Sequence, residues 1–231
     1  YRESKWQFIL ALITNKLKNI FSSYFDNENL EGLYFRNDSH EWETKLRAKT
    51  INYIDDWKIT WGANIQYSDY YNNTTDIINQ LEYLTQINFY KYGLFGSISK
   101  SFIDSKLDIS LGIRADEDNF SEGSKLLDNI SPRISTSYAL TEDQRLKWNS
   151  SIGTYFKIPP YTILGFKEVS GDFTNRNSKY TKSNHYVTGF EYALGNASRI
   201  SIEGFIKNYE NFPVSIVDGV SLANKGADFE V

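Results

Sequence analysis

From Trp57 to Tyr67 the chain alternates without a break. Trp57, Ile59, Trp61, Ala63, Ile65 and Tyr67 fall on one phase, and Lys58, Thr60, Gly62, Asn64 and Gln66 fall on the other. Apolar residues at every second position are the mark of a β-strand with two unlike faces; a helix would repeat them every three to four residues. Leu107 to Asp116 repeats the pattern, with Leu107, Ile109, Leu111, Ile113 and Ala115 set against Asp108, Ser110, Gly112, Arg114 and Asp116. Ile200 to Ile206 follows it more loosely, with Phe205 on the polar phase. Further strands are expected over Lys5–Ile13, Glu41–Tyr53, Thr85–Phe102, Arg133–Leu140, Leu146–Tyr155 and His185–Leu194.

A chain built this way can be polar on average and still fold. Its mean hydropathy is −0.49, yet 16% of its residues are aromatic, which sets it apart from disordered chains. The longest apolar run, Phe8 to Ile13, is far short of the ~20 residues that a transmembrane helix needs. Two classes fit: a soluble all-β protein, or a transmembrane β-barrel whose strands alternate between lipid and water. Other chemistry is narrowed by what is absent. Without Cys there is no disulfide framework, thiolate metal site or cysteine nucleophile. A formal charge of −4 argues against a nucleic-acid partner, which would want a basic face.

The connections favour the membrane class. Short turns are expected at Ile54-Asp55-Asp56, Asp104-Ser105, Thr141–Gln144 and Gly195-Asn196-Ala197. Long polar loops are expected at Thr14–His40, Tyr71–Leu84, Glu117–Pro132 and Lys157–Asn184, and the two kinds alternate along the chain. Outer-membrane barrels have this asymmetry, with short periplasmic turns and long extracellular loops. Trp57, Tyr138, Trp148 and Tyr192 lie near the short turns on the apolar phase, and Tyr67, Tyr70 and Tyr71 lie at the far end of their strand. Amphipathic rings at both water boundaries suit a membrane barrel; cross-strand aromatic pairs in a soluble sheet are the other reading.

The second half carries a more specific signal. Leu111-Gly112-Ile113-Arg114-Ala115-Asp116, Asn129-Ile130-Ser131-Pro132-Arg133-Ile134-Ser135, Gly153–Thr162 and His185–Tyr192 occur in order. Glu203–Tyr209, Phe212-Pro213 and Ser221–Gly226 continue the series. In this order the segments resemble the barrel of TonB-dependent outer-membrane receptors of the Bacteroidetes type. The resemblance covers about residues 85–231; residues 1–84 share the architecture with fewer telling words. It implies an all-β, antiparallel transmembrane barrel segment, roughly nine or ten strands of a 22-stranded barrel. The chain begins at Tyr1, has no Met and runs out at Phe229-Glu230-Val231. Residues 1–231 are therefore expected to be an interior slice, lacking the family's plug domain, TonB box and closing strands. Open edges would keep such a slice from inserting alone as a transporter.

What the resemblance implies for function is energised uptake across the outer membrane, not catalysis. The implied partners are outer-membrane lipid, the receptor's own plug, TonB, and a small-molecule or metal-chelate substrate such as a ferric siderophore. A passive porin and a soluble β-sandwich binding module are the alternatives. No cofactor is expected. Phe156, Tyr161, Phe166 and Phe173, on and beside the loop that Pro159-Pro160 opens, are either a substrate-contacting surface or loop packing. His185 sits on the polar phase and reads as a solvated lumen residue; His40 lies far from it in sequence. The run Asp116-Glu117-Asp118 lacks calcium-loop spacing and reads as a solvated strand end. No Ser-centred triad motif accompanies either histidine.

Overall fold

The computed structural model describes residues 5–167, 171–195 and 198–214. They form one antiparallel sheet of nine strands in sequence order, each beside its chain neighbours. The strands are β1 (Lys5–Asp26), β2 (Glu31–Ile54), β3 (Trp57–Asp76), β4 (Leu81–Phe102) and β5 (Leu107–Asp118). They continue as β6 (Arg133–Ala139), β7 (Leu146–Lys157), β8 (Thr181–Ala193) and β9 (Arg199–Glu210). All nine expected strands are present. The sheet is open: β1 and β9 stand at its edges. The expected segments Ser221–Gly226 and Phe229–Val231, and Asn196 and Ala197 of the last short turn, lie outside the described residues.

Register fixes the two faces. Ala48, Ala63, Leu94 and Ala115 stand opposite one another across β2–β5, and so do Trp61, Gly96 and Ile113. Phe8, Leu94, Ile113 and Ile202 all lie on this face and stay more than half exposed, far beyond what a soluble sheet tolerates over such a breadth. A lipid-facing surface needs no protein cover. From Trp57 to Tyr67 the apolar phase runs about 33 Å along the strand; tilted by ~40°, that covers the ~25 Å height of a barrel's apolar band. Its lower margin holds Trp57 under the Lys100 ammonium (4.8 Å), with Tyr138 opposite Trp148 and Leu146 opposite Tyr192. The upper margin holds Trp42, which donates to Thr14 (3.0 Å), and the Tyr67–Tyr90 pair (5.4 Å). Both rims carry rings with a polar tip, as a lipid–water boundary requires. Tyr70 departs from the expected girdle: it points inward and is buried.

Two expected loops are not loops. Thr14–His40 and Tyr71–Leu84 continue as paired strand, so that β1–β2 and β3–β4 are ribbons closed only at residues 27–30 and 77–80. Above the aromatic rim the outer face meets water, so apolar alternation is no longer required there while the backbone ladder persists. Lys18–Asp38 and His40–Asp69 line that outer face. Each ribbon closes by the same device. Asp26 accepts the N–H of Asn29 (3.1 Å) and its side-chain amide (2.8 Å), and Asp76 does the same for Asn79 (3.0 and 2.7 Å). Leu30 and Gln80 follow in the left-handed region at φ 58° and 52°.

The other two expected loops are present, and they fold inward. Between β7 and β8, residues 158–167 and 171–180 cross the inner face to reach β3 and β4. Pro159-Pro160 ends the β7 ladder, as two residues without N–H donors must. A single helical turn, α1 (Tyr161–Leu164), follows. Tyr161, Ile158, Leu164 and Tyr180 bury against Tyr70, Ile87 and Phe89 of the wall, and Phe120, Phe156 and Phe173 close the margin. Below this roof the inner face is polar.

The faces give opposite responses to charge. Leu94→Arg, near mid-height on the outer face, is expected to destabilise the membrane-inserted whole receptor by ~2–4 kcal/mol. Ser151→Arg, on the inner face, should change stability by less than about 1 kcal/mol. Urea unfolding in lipid vesicles checks both, and equal costs would refute the assignment of faces.

Candidate functional site

The inner wall and its roof form the candidate site. The roof is tied to four strands by polar contacts as well as packing. The Tyr161 hydroxyl donates to Glu43 Oε1 of β2 and lies 3.1 Å from Ser68 Oγ of β3. Tyr83 and Thr85 of β4 both donate to the Gly165 carbonyl, and the Lys167 N–H donates back to Tyr83 (3.1 Å). Tyr83 also stacks on Phe166 at 6.0 Å. At the end of β5, Asp118 accepts the N–H groups of Phe120 and Ser121, the Ser121 hydroxyl (2.7 Å) and the Tyr180 hydroxyl (2.7 Å). The 119–132 loop then joins the roof through Glu122 N–H to the Arg176 carbonyl (2.6 Å) and the Arg176–Glu122 ion pair (2.9 Å).

The expected aromatic residues are thereby placed. Tyr161 is buried, while Phe156, Phe166 and Phe173 are half-buried around it. Phe173 meets Phe120 edge-on at 5.2 Å. Asp116 and Asp118 are not solvated, contrary to expectation. Asp116 accepts both Arg114 Nε and Nη2, and Asp118 is enclosed by the loop that it organises. A carboxylate that gathers two backbone N–H groups and two hydroxyls is a structural anchor. His185 faces inward, as expected, with its ring 4.4 Å from that of Tyr155. His40 points outward above the rim, stacked on Tyr71 and 3.3 Å from Asp69. The two histidines share no site. Among the described residues, no group of three or more His, Cys, Asp or Glu is placed to hold a metal ion.

The inner wall below the roof reads in transverse rows. Lys45, Gln66 and Lys91 share one level, then Arg47, Asn64, Gly93 and Asp116, then Lys49, Gly62, Phe95 and Arg114. The next level runs from Ile51 and Thr60 to Arg133, Gly153 and His185. Lower still, Ser99, Ser110, Ser135 and Ser151 align, with Ser99 donating to Ser110 (2.8 Å). Arg47, Arg114 and Arg133 received no role from sequence motifs. The signal that marks them is phase: each lies on the inward face of an alternating strand.

Burial pushes the Tyr161 and Tyr180 hydroxyls well above the ordinary tyrosine range, with the nearby Glu43 and Asp118 carboxylates adding to it. A raised folded pKa means that the neutral form is held. The stability it contributes is full below about pH 10 and falls as pH rises through the folded value. A tyrosinate titration at 295 nm should therefore show the same amplitude near pH 10 in wild type and in the Tyr161→Phe/Tyr180→Phe variant. A smaller amplitude in the variant would mean that the roof is open in solution.

Comparison with known proteins accords with this geometry. The model of the family described as TonB dependent receptor-like, beta-barrel matches residues 3–228. No curated protein matches the sequence. Among solved structures, the copper transporter OprC is similar at 14% identity and a TM-score of 0.63, over 87% of this chain and 35% of that one. The structure titled the FpvAI–pyocin S2 complex is similar at 11% identity and a TM-score of 0.63, over 88% of this chain and 31% of that one. At such identities the likeness concerns the fold, and the chain spans about a third of each structure's length. With the family model matching nearly end to end, the chain belongs to the TonB-dependent receptor β-barrel family, outer-membrane proteins of Gram-negative bacteria.

Proposed function

We propose that this barrel segment works in a receptor that imports a scarce nutrient, such as a ferric siderophore, across the outer membrane by energised uptake. The observation that carries the reading is the roof. Residues 158–167 and 171–180 are packed and hydrogen-bonded against the inner face. A pore for passive diffusion works best with a clear lumen; a receptor works by holding its cargo and opening on demand. The resemblance of 111–116, 129–135 and 153–162 to Bacteroidetes-type receptors supports that branch as the source.

In this reading residues 1–231 are part of the barrel domain, completed in the whole receptor by a plug, a TonB box and further strands. The plug and TonB are the protein partners, and lipid surrounds the outer band. Phe156, Tyr161, Phe166 and Phe173 form the roof that a substrate meets from outside. The wall has no bond-making role, and the receptor is not an enzyme. Cells carrying the whole receptor are expected to accumulate iron-55 supplied as a ferric siderophore. Accumulation should fall to background when TonB is deleted or the proton gradient is collapsed. Uptake that persists without either would show passive diffusion and reject the energised reading.

A further inference from the structure

Above the aromatic rim, β1–β4 stand clear of the hydrocarbon as one paired extension. From Trp42 to Glu31, β2 runs on for about 36 Å, which at a tilt of ~40° lifts the end of the first ribbon roughly 28 Å above the rim. The second ribbon ends lower and is tied to the first where the Ile77 N–H donates to the Tyr34 carbonyl (2.8 Å). Both ends hold apolar side chains out in water. Phe25 is 74% exposed, and Leu30, Ile77 and Ile78 are each more than half exposed. Closing a ribbon does not need such residues; polar turn residues suffice, and here Asp26, Asn29, Asp76 and Asn79 already do it.

One of these side chains is held in place. The Phe25 ring lies against that of Tyr34, with centroids 4.9 Å apart. Gly32 sits beside it in the left-handed region at φ 67°, and a Cβ there would lie 3.0 Å from Phe25 Cδ2. A side chain at that position would crowd the ring, so the glycine seats an aromatic group that still faces water. A ring ordered before it binds is a good interface anchor, because little freedom is left to lose. The charge around the anchors is of one sign. Residues 20–35 and 70–90 contain Asp26, Glu28, Glu31, Asp76 and Glu82, and no Lys, Arg or His. The nearest base is Arg36, opposite Thr75 in the ladder just below the tips. Hydrogen bonds from Asn29 and Asn79 hold the Asp26 and Asp76 carboxyls below the usual carboxylate range, so both stay ionised.

We propose that the ends of the β1–β2 and β3–β4 ribbons form a docking surface, outside the cell, for a protein that presents an apolar face bordered by Lys or Arg. Phe25, Leu30, Ile77 and Ile78 supply an apolar centre, and the five carboxylates supply a charged rim, the anatomy of a protein interface. Charge selects the occupant. A second copy docked tip to tip would set the same carboxylates against these and be repelled. Lipid lies well below the tips. The proposal rests on the outer-membrane receptor reading, which places the long ribbons outside the cell, and it adds to that reading a protein partner on the outer surface.

The probe is a dye-labelled peptide of about 18 residues with Leu on one helix face and Lys on the other. Its binding to the whole receptor in phosphatidylcholine nanodiscs is read by fluorescence anisotropy, with receptor-free nanodiscs as the baseline. No TonB or energy source is present, so a failure of uptake and a failure of this surface are separate results. The Lys peptide should bind roughly tenfold more tightly than a counterpart with Glu in place of Lys, and its binding should weaken as ionic strength rises from about 50 to about 500 mM. Phe25→Ser should weaken it about tenfold, the loss of one interface anchor, and Ile77→Ser with Ile78→Ser by a similar factor. Glu28→Gln, Glu31→Gln and Glu82→Gln together should remove most of the salt dependence. Asp55→Asn, in the β2–β3 turn at the opposite end of the sheet, should match wild type. If the Lys peptide does not bind, as when other outer loops of the receptor cover the tips, the surface is not a docking site. Equal binding of the Glu peptide overturns the choice of partner. Wild-type affinity in Phe25→Ser, or in the double Ile variant should Phe25→Ser fail to fold, overturns the role of the tips.

Discussion

Inside hydrocarbon a strand's N–H and C=O groups have only a neighbouring strand to bond. Everything else in this molecule follows from that ladder. It runs unbroken in order from β1 to β9, because each strand can reach only the partner that the preceding turn delivers. Once the ladder is fixed, side chains have two directions and no third. Outward positions between the rims must be apolar, and inward positions are free to be anything that water accepts. A one-residue slip in any strand would send that strand's inward charges into lipid. Register is therefore set by the cost of misplacing Lys45, Arg47 and Lys49 as firmly as by the gain of placing Leu46 and Ala48.

That freedom on the inner face explains its layering. Near the top, Tyr70, Ile87 and Phe89 stand on the inward phase, where water alone would leave them exposed, and the 158–180 loop covers them. Packing positions the loop, and polar contacts at its ends fix it, through Glu43, Tyr83, Thr85 and Asp118. Buried hydroxyls with carboxylate partners hold the roof against a wall that is otherwise wet. The apolar cluster is small, so the roof depends on those bonds more than a domain core would.

How far the sequence predicted this depends on which constraint acted at each place. Between the rims lipid demands alternation, so all nine strands could be read, and with them the facing of those that alternate cleanly, from residues such as Trp57 and Leu111; the register of the first 84 residues could not. Above the rims lipid no longer acts. Thr14–His40 and Tyr71–Leu84 then look like loops because strand residues facing water on both sides resemble loop residues. The signal that was available there was the turn chemistry at Asp26-Asn27-Glu28-Asn29 and Asp76–Asn79. Tyr70 was misplaced for a related reason: a tyrosine suits a membrane rim and a buried cluster equally, and only phase separates them. The inward fold of the 158–180 loop had no local signature, since its partners on β2–β4 lie about a hundred residues earlier. Asp116 and Asp118 looked solvated because an acidic run does not disclose the backbone donors and the distant tyrosine that surround it.

Glycine on the inner face ties the layers together. In a soluble sheet an inward glycine weakens the strand, having no side chain to pack. On this wall it makes space. Gly93 leaves room for Asp116, whose Oδ1 would lie 2.2 Å from an added Cβ, and Asp116 in turn aligns Arg114. Gly62 admits the Ala48 carbonyl, 2.3 Å from an added Cβ, and beside it the Phe95 ring on which Arg47 lies, and Gly153 admits the Arg133–Tyr155 pair. Three glycines at three neighbouring levels thus serve three charged or aromatic groups on adjoining strands. The cost to strand stability is about 0.5–1 kcal/mol for each, relative to alanine. A wall that needed only to be wet could carry serine in those places, as it does at Ser99, Ser110, Ser135 and Ser151.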